Sequence, residues 1–260
     1  MSTFHIIIIS IVEGITEFLP ISSTAHIDIT RTLLGLPITE FIKSFEITIQ
    51  LGAIFAVIVL YGKRVFGSVL YMRNILIAFI PTGIIGFILY KLIKSFLLGN
   101  VVLASTMLVI GGIIMVIFER NKKEDTSLQI ESIKSLPIKK LLLLGTIQAL
   151  AVVPGVSRSG AVIIGGRALG LNKILITEFS FILAVPTMLS AVAYDLLKSG
   201  SMFTQSEWSD MLLGFVVSFI VALVAIKWLL KYIKNHSFES FGWYRIFIGL
   251  VILVFFSSLV

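Results

Sequence analysis

Uncharged apolar runs recur along the chain at 47–61, 75–90, 101–118, 179–193, 211–226 and 246–260. Extended by their flanks, each is long enough to cross a hydrocarbon layer of about 30 Å as a helix, so six spans are predicted. Two further apolar regions, 4–40 and 141–172, are cut by Pro20 and Pro154 into halves too short to cross. They read as re-entrant helix-loop-helix hairpins, which a membrane tolerates only where protein or water satisfies the freed backbone groups. The stretch at 5–12 has the look of a signal-peptide core, but no Lys or Arg precedes it and Glu13 follows, so it is expected to be retained.

Composition agrees with this pattern. Of 260 residues, 57% are apolar and 13% charged, where soluble domains run near 45–50% and about 25%. The expected class is therefore an all-α polytopic membrane protein, one integral domain over 1–260. The net charge of +7 is read as topology and not as nucleic-acid binding. Segments 62–74, 119–140 and 227–245, with Arg167 and Lys173, hold 15 cations; the opposite set (Arg31, Lys43, Lys91, Lys94, Lys198) holds five. The positive-inside rule then places the first set in the cytoplasm and both termini outside. With ten charged residues in 22, 119–140 reads as a cytoplasmic linker between a first half, 1–118, and a second, 141–260. The absence of cysteine excludes disulfides, thiolate chemistry and thiolate metal sites.

The halves look like repeats. A shift of 134 places Pro20 on Pro154, Ser23 on Ser157 and Phe45 on Phe179. One half would enter the bilayer from outside and the other from inside, giving an inverted-topology repeat whose broken helices meet near the midplane.

Ionisable groups embedded in apolar sequence are expensive and are functional candidates by default. The first cluster is EGITEFLPISSTAH at 13–26. Glu13 and Glu17 share a helix face; Pro20 ends that helix, and Ser22, Ser23 and Thr24 open the next. The second is PGVSRSG at 154–160, where Ser157, Arg158 and Ser159 open a helix and Arg158 has no nearby acid in sequence. Two helix N-termini facing each other, with an arginine fork and hydroxyls, form an oxyanion cradle. Phosphate fits it best. Two carboxylates beside phosphate call for a hard divalent cation or act as acid and base, and His26, one turn from Ser23, is placed to act on its hydroxyl or on phosphorus directly. Plainer readings stand beside these: helix caps for the serines, packing for His26, a structural clamp for Arg158, and an ion-coupling pair for the two Glu in an inverted-repeat transporter or lipid flippase.

These residues carry a resemblance. EGITEFLPISSTAH and PGVSRSG look like the two signatures of the undecaprenyl-diphosphate phosphatase family, also called bacitracin-resistance proteins; FEITIQLGAIFAV (45–57) and EFSFILAVP (178–186) resemble further family segments. Ala25 stands where Gly is frequent and Val156 where Thr is. The resemblance implies six spans with two inverted hairpins, and removal of the terminal phosphate from a C55 polyprenyl diphosphate at the outer face of the cytoplasmic membrane. That regenerates the lipid carrier for cell-wall glycan synthesis, and bacitracin resistance is implied with it. By position, Glu13 and Glu17 would be the acidic pair and metal ligands, Ser23 and His26 the nucleophile candidates, and Arg158 the phosphate-binding arginine. Ser22, Thr24, Ser157 and Ser159 would line the diphosphate. Mg²⁺ or Ca²⁺ is the expected cofactor, polyprenyl diphosphate and the membrane the partners, and a homodimer is compatible with it.

Overall fold

A computed structural model describes residues 1–92, 97, 99–122, 132–199 and 203–257. Among them every regular element is helical. Ten α-helices follow in order: α1 Thr3–Thr16, α2 Ser23–Leu33, α3 Glu40–Phe66, α4 Val69–Leu92, α5 Val101–Asn121, α6 Ile138–Ala149, α7 Arg158–Ala168, α8 Lys173–Ser199, α9 Gln205–Asn235 and α10 Glu239–Ser257. Five are long and apolar enough to cross a membrane: Glu40–Phe66, Val69–Leu89, Val101–Asn121, Lys173–Asp195 and Gln205–Asn235. This is a multi-pass membrane protein. α1 and α2, of 14 and 11 residues, reach only about 21 and 17 Å; α6 and α7, of 12 and 11, are equally short.

The two breaks form where the sequence places them. α1 gives way to turns at 17–21 around Pro20, and α6 to a 3₁₀ turn and the Pro154–Gly155 bend. Each second arm starts from a serine N-cap in the left-handed backbone region, Ser22 at φ 71° and Ser157 at φ 70°, and each is followed by a left-handed glycine, Gly35 and Gly170. These equivalences run at a shift of 135, one more than the 134 that aligns the prolines. Packing repeats as well: α1 lies on α9 as α6 lies on α4, α3 on α9 as α8 on α4, while α3 meets α8 and α5 meets α10. Close approach depends on small residues; a Cβ at Gly145 of α6 would sit 1.9 Å from the Ala78 carbonyl oxygen of α4.

The apolar positions of the first break, Phe18, Leu19 and Ile21, are buried in the main core with Phe179, Phe181 and Ile182 of α8, and Phe18 meets Phe181 edge-on. That wedge holds the break against the second half.

The cationic segments differ from expectation. α3 runs to Phe66 and α4 starts at Val69, while α9 runs to Asn235 and α10 starts at Glu239, so 62–74 and 227–245 are mostly helix ends and not loops. Long basic side chains allow this, since their charged heads reach water from the last helical turns. Arg64 pairs with Glu178 and Arg120 with Glu239, and Lys173 donates to the His236 carbonyl, gathering several grouped segments at one end. Three arginines assigned to loops are instead buried: Arg31 against Asp28 and Glu46, Arg167 against Glu119, and Arg245 inside the bundle. Within the expected linker, 123–131 lies outside the described residues, as does Lys94.

Candidate active site

Residues from both breaks converge. Glu17, at the end of α1, accepts from Arg158 at the start of α7, Nη2 to Oε1 2.7 Å. Its other oxygen, Oε2, accepts from the Ser23 hydroxyl. Arg158 also donates through Nη1 to the Ser180 carbonyl of α8, 3.0 Å, and lies over the Phe18 ring. The arginine that lacked a sequence neighbour of opposite charge thus finds one 141 positions away. Carboxylate, hydroxyl and guanidinium form one chain of charge-assisted hydrogen bonds.

These three groups face a cavity of about 250 Å³. Ser22 and Thr24 line it from the first break, Pro154, Gly155 and Ser157 from the second, and Gln50 of α3 and Thr187 of α8 from the sides. Next to it lies a mostly apolar cavity of about 430 Å³ between α4, α6 and α8, walled by Phe79, Gly83, Gly86 and Phe87. The two share Ala151, Val152, Arg158, Thr187 and Ala191. A polar chamber opening onto an apolar groove suits a ligand with a charged head and a hydrocarbon tail.

The remaining predicted residues sort less evenly. Ser157 caps α7, accepting from Gly160 N at 3.1 Å. Ser159 does not line the chamber; its hydroxyl crosses to the Leu19 carbonyl, 2.9 Å, and so joins the two breaks. His26 is not on Ser23. Its Nδ1 lies 2.8 Å from the Ser22 carbonyl, which can only accept, so Nδ1 carries the proton; Nε2 then accepts from Tyr244 O–H at 2.9 Å. The carboxylate beside Ser23 is that of Glu17, because α2 turns His26 back toward Tyr244 of α10. Glu13 lies one turn before Glu17, wholly buried, with neither carboxylate oxygen hydrogen-bonded.

Among the described residues no group of three or more His, Asp or Glu side chains is placed to hold a metal. Two carboxylates of one helix face, one with unpartnered oxygens, beside hydroxyls and a chamber sized for phosphate, fit a hard cation that keeps waters and takes phosphate oxygens.

Some participants were not singled out in the sequence. Tyr244 and Arg245 stand at the head of an apolar run, and Arg245 entered only the cation count of the cytoplasmic set. Asp28 of α2 is buried against Arg31. Gln148 of α6 donates to the Thr82 and Thr187 hydroxyls, each at 3.0 Å, beside the apolar groove. It stands 135 positions after Glu13, in the equivalent place of the second half.

Known proteins resemble this chain almost end to end. A protein named undecaprenyl-diphosphatase from Aquifex aeolicus is 50% identical over 256 residues, covering 98% of this chain and 99% of its own. One of that name from Sulfurihydrogenibium is 53% identical over 251 residues, 96% and 98% of the two chains; another from Thermus thermophilus is 42% identical over 259 residues, 98% of each. Residues 6–251 match the family described as bacitracin resistance protein BacA, with both breaks inside the match, and this chain belongs to that family.

Proposed function

We propose that this chain removes the terminal phosphate of undecaprenyl diphosphate, leaving the monophosphate lipid carrier. The observation that carries the reading is the convergence of Glu17, Ser23 and Arg158, from two distant breaks, on one polar chamber continuous with an apolar groove. The diphosphate occupies the chamber and the first prenyl units lie in the groove.

In membrane terms, the reading has six spans, α10 being the sixth, and two hairpins that enter from opposite faces as an inverted repeat. It is supported by the matched left-handed serines and the pairwise exchange of packing partners between halves. The cation surplus supports a chamber opening to the outer face of the cytoplasmic membrane, with both termini outside.

Arg158 turns from Glu17 onto the terminal phosphate while its bond to the Ser180 carbonyl keeps the fork in place. The Ser22 and Ser157 turns present the N-terminal N–H groups of α2 and α7 to phosphate oxygens. Ser23 Oγ attacks the terminal phosphorus as its proton passes to Glu17; the bond from that phosphorus to the bridging oxygen breaks, and Glu17 returns the proton to the departing monophosphate. Water then attacks the phosphoserine phosphorus as Glu17 takes its proton; the bond from phosphorus to Ser23 Oγ breaks, Glu17 returns the proton to Ser23 Oγ, and orthophosphate leaves. Glu13 and Glu17 are the residues that would hold Mg²⁺ or Ca²⁺, which supplies charge neutralisation for the phosphate oxygens. His26 is the alternative nucleophile once Tyr244 releases its Nε2.

The test is phosphate release from C55 diphosphate by the purified chain, with Ser23→Ala and Arg158→Ala expected inactive. Trapped phosphohistidine in place of phosphoserine would move the attack to His26. Lipid transport in proteoliposomes without phosphate release would replace hydrolysis with carriage.

A further inference from the structure

Arg245 of α10 is a positively charged side chain 1% exposed, and among the described residues its partners are backbone carbonyls and no carboxylate. Nη1 donates to Pro20 of the first break at 3.1 Å. Nη2 donates to Gly155 at 2.9 Å and Val156 at 3.0 Å of the second. Longer bonds, 3.4 Å each, reach Leu108 and Met107 of α5. One planar fork therefore touches both proline breaks and the helix behind them. Room for it is built in: a Cβ on Gly111 of α5 would stand 2.0 Å from Nη2.

Resting on the phosphatase reading, we propose that Arg245 is a positioning residue for phosphate transfer: a permanent staple that holds the two breaks in register while the contacts in the chamber come apart. Besides Arg245, the polar contacts joining the breaks among the described residues are Glu17 to Arg158 and Ser159 to the Leu19 carbonyl. In the proposed mechanism the first opens during catalysis, because Arg158 turns its Nη2 from Glu17 onto the terminal phosphate. At that moment Ser23 on one break and Arg158 on the other have to stay within bonding range of the same phosphorus. Arg245 is not among the residues that line the chamber, so substrate does not compete for its bonds. A lysine cannot replace them: an ammonium is a point donor, whereas the guanidinium reaches Pro20 and Gly155 from different nitrogens at once. The buried positive charge, with no carboxylate beside it among the described residues, is held by carbonyl dipoles.

Steady-state hydrolysis of C55 diphosphate by the full chain tests this. Arg245→Lys keeps the charge and loses the fork; Arg245→Met loses both. Both variants are expected to fold, with kcat lowered about 100-fold, the scale of a misplacement near 1 Å, and KM little changed. Guanidinium chloride should partly restore Arg245→Ala by refilling the carbonyl-lined space, and methylammonium should not. Normal kcat in Arg245→Lys, with loss confined to Arg245→Met, would mean that only charge matters and would overturn the proposal. So would normal kcat in both. If the Arg245 variants do not yield monodisperse protein, Gly111→Ala decides: it pushes the fork aside without deleting it, and an unchanged kcat there overturns the staple. A wild-type chain that releases no phosphate would instead defeat the hydrolase reading.

Discussion

The first break, 17–23, and the second, 153–159, share a backbone and differ in chemistry. Both turn at a proline, both pass through a left-handed serine at nearly the same φ, and both launch an 11-residue helix. Yet the first supplies the carboxylate and the hydroxyl, and the second supplies the guanidinium. One turn earlier the contrast recurs, Glu13 in the first half against Gln148 in the second. A symmetric frame with unlike side chains makes one polarised site instead of two equivalent ones: on the proposed reading the second break grips an anion, and the first carries the group that attacks it.

That division of labour can be broken from either side. The largest effect is expected from the central pair. Arg158→Ala and Glu17→Gln should each lower phosphate release by at least about 10³-fold, since each removes a preorganised group facing developing charge. Each also leaves the other partner largely buried and unpaired, which costs about 3–5 kcal/mol, so thermal unfolding in detergent should fall with activity. The exchange Glu17→Arg with Arg158→Glu should restore stability better than activity. Full activity in that double variant would show that the two breaks are interchangeable.

Next comes the symmetry-related position. Gln148→Glu would place a carboxylate against two hydroxyls already committed as donors to the Gly145 and Leu183 carbonyls. A loss of about 2–3 kcal/mol in unfolding free energy is expected. Glu13→Gln should leave stability equal or higher while lowering activity and its dependence on divalent cation, read by titrating Mg²⁺ into chelator-treated protein.

Tyr244→Phe is expected to be milder, less than about tenfold in rate, because it frees His26 Nε2 without touching Glu17 or Ser23. A rise in activity would favour His26 as nucleophile. The smallest effect belongs to the turn itself. Ser157→Gly relieves a left-handed strain of about 1 kcal/mol but loses the cap on Gly160, so the net change in unfolding free energy should be within about 1 kcal/mol. Ser22→Gly has no cap bond to lose and should be the more stable of the two.

Much of this was legible in one dimension. Pro20, Pro154 and the serines after them announced where helices stop and restart, because the missing N–H and the capping hydroxyl act locally. Glu17, Ser23 and Arg158 stood out because polar groups in apolar sequence are costly, and they do meet. The pairing of His26 with Ser23 did not hold: spacing along a helix says which residues share a face, not which neighbour claims the imidazole, and Tyr244 comes from 218 positions away.

Arg245 marks the boundary most clearly. Its place beside an apolar run is what a basic residue at a membrane edge would show, and counting cations by segment put it in the cytoplasm. Only the packing of α10 on α5, with glycine at 111 and 112 clearing the space, carries it inward to the carbonyls of both breaks. The sequence by itself determined the class of protein, the apolar stretches that form its long helices, the two breaks and the polar residues gathered at them, since hydropathy, proline and capping are short-range properties of the chain. Tertiary structure alone decided which charges are solvated and which are shared, because that depends on the helix that arrives from the other half.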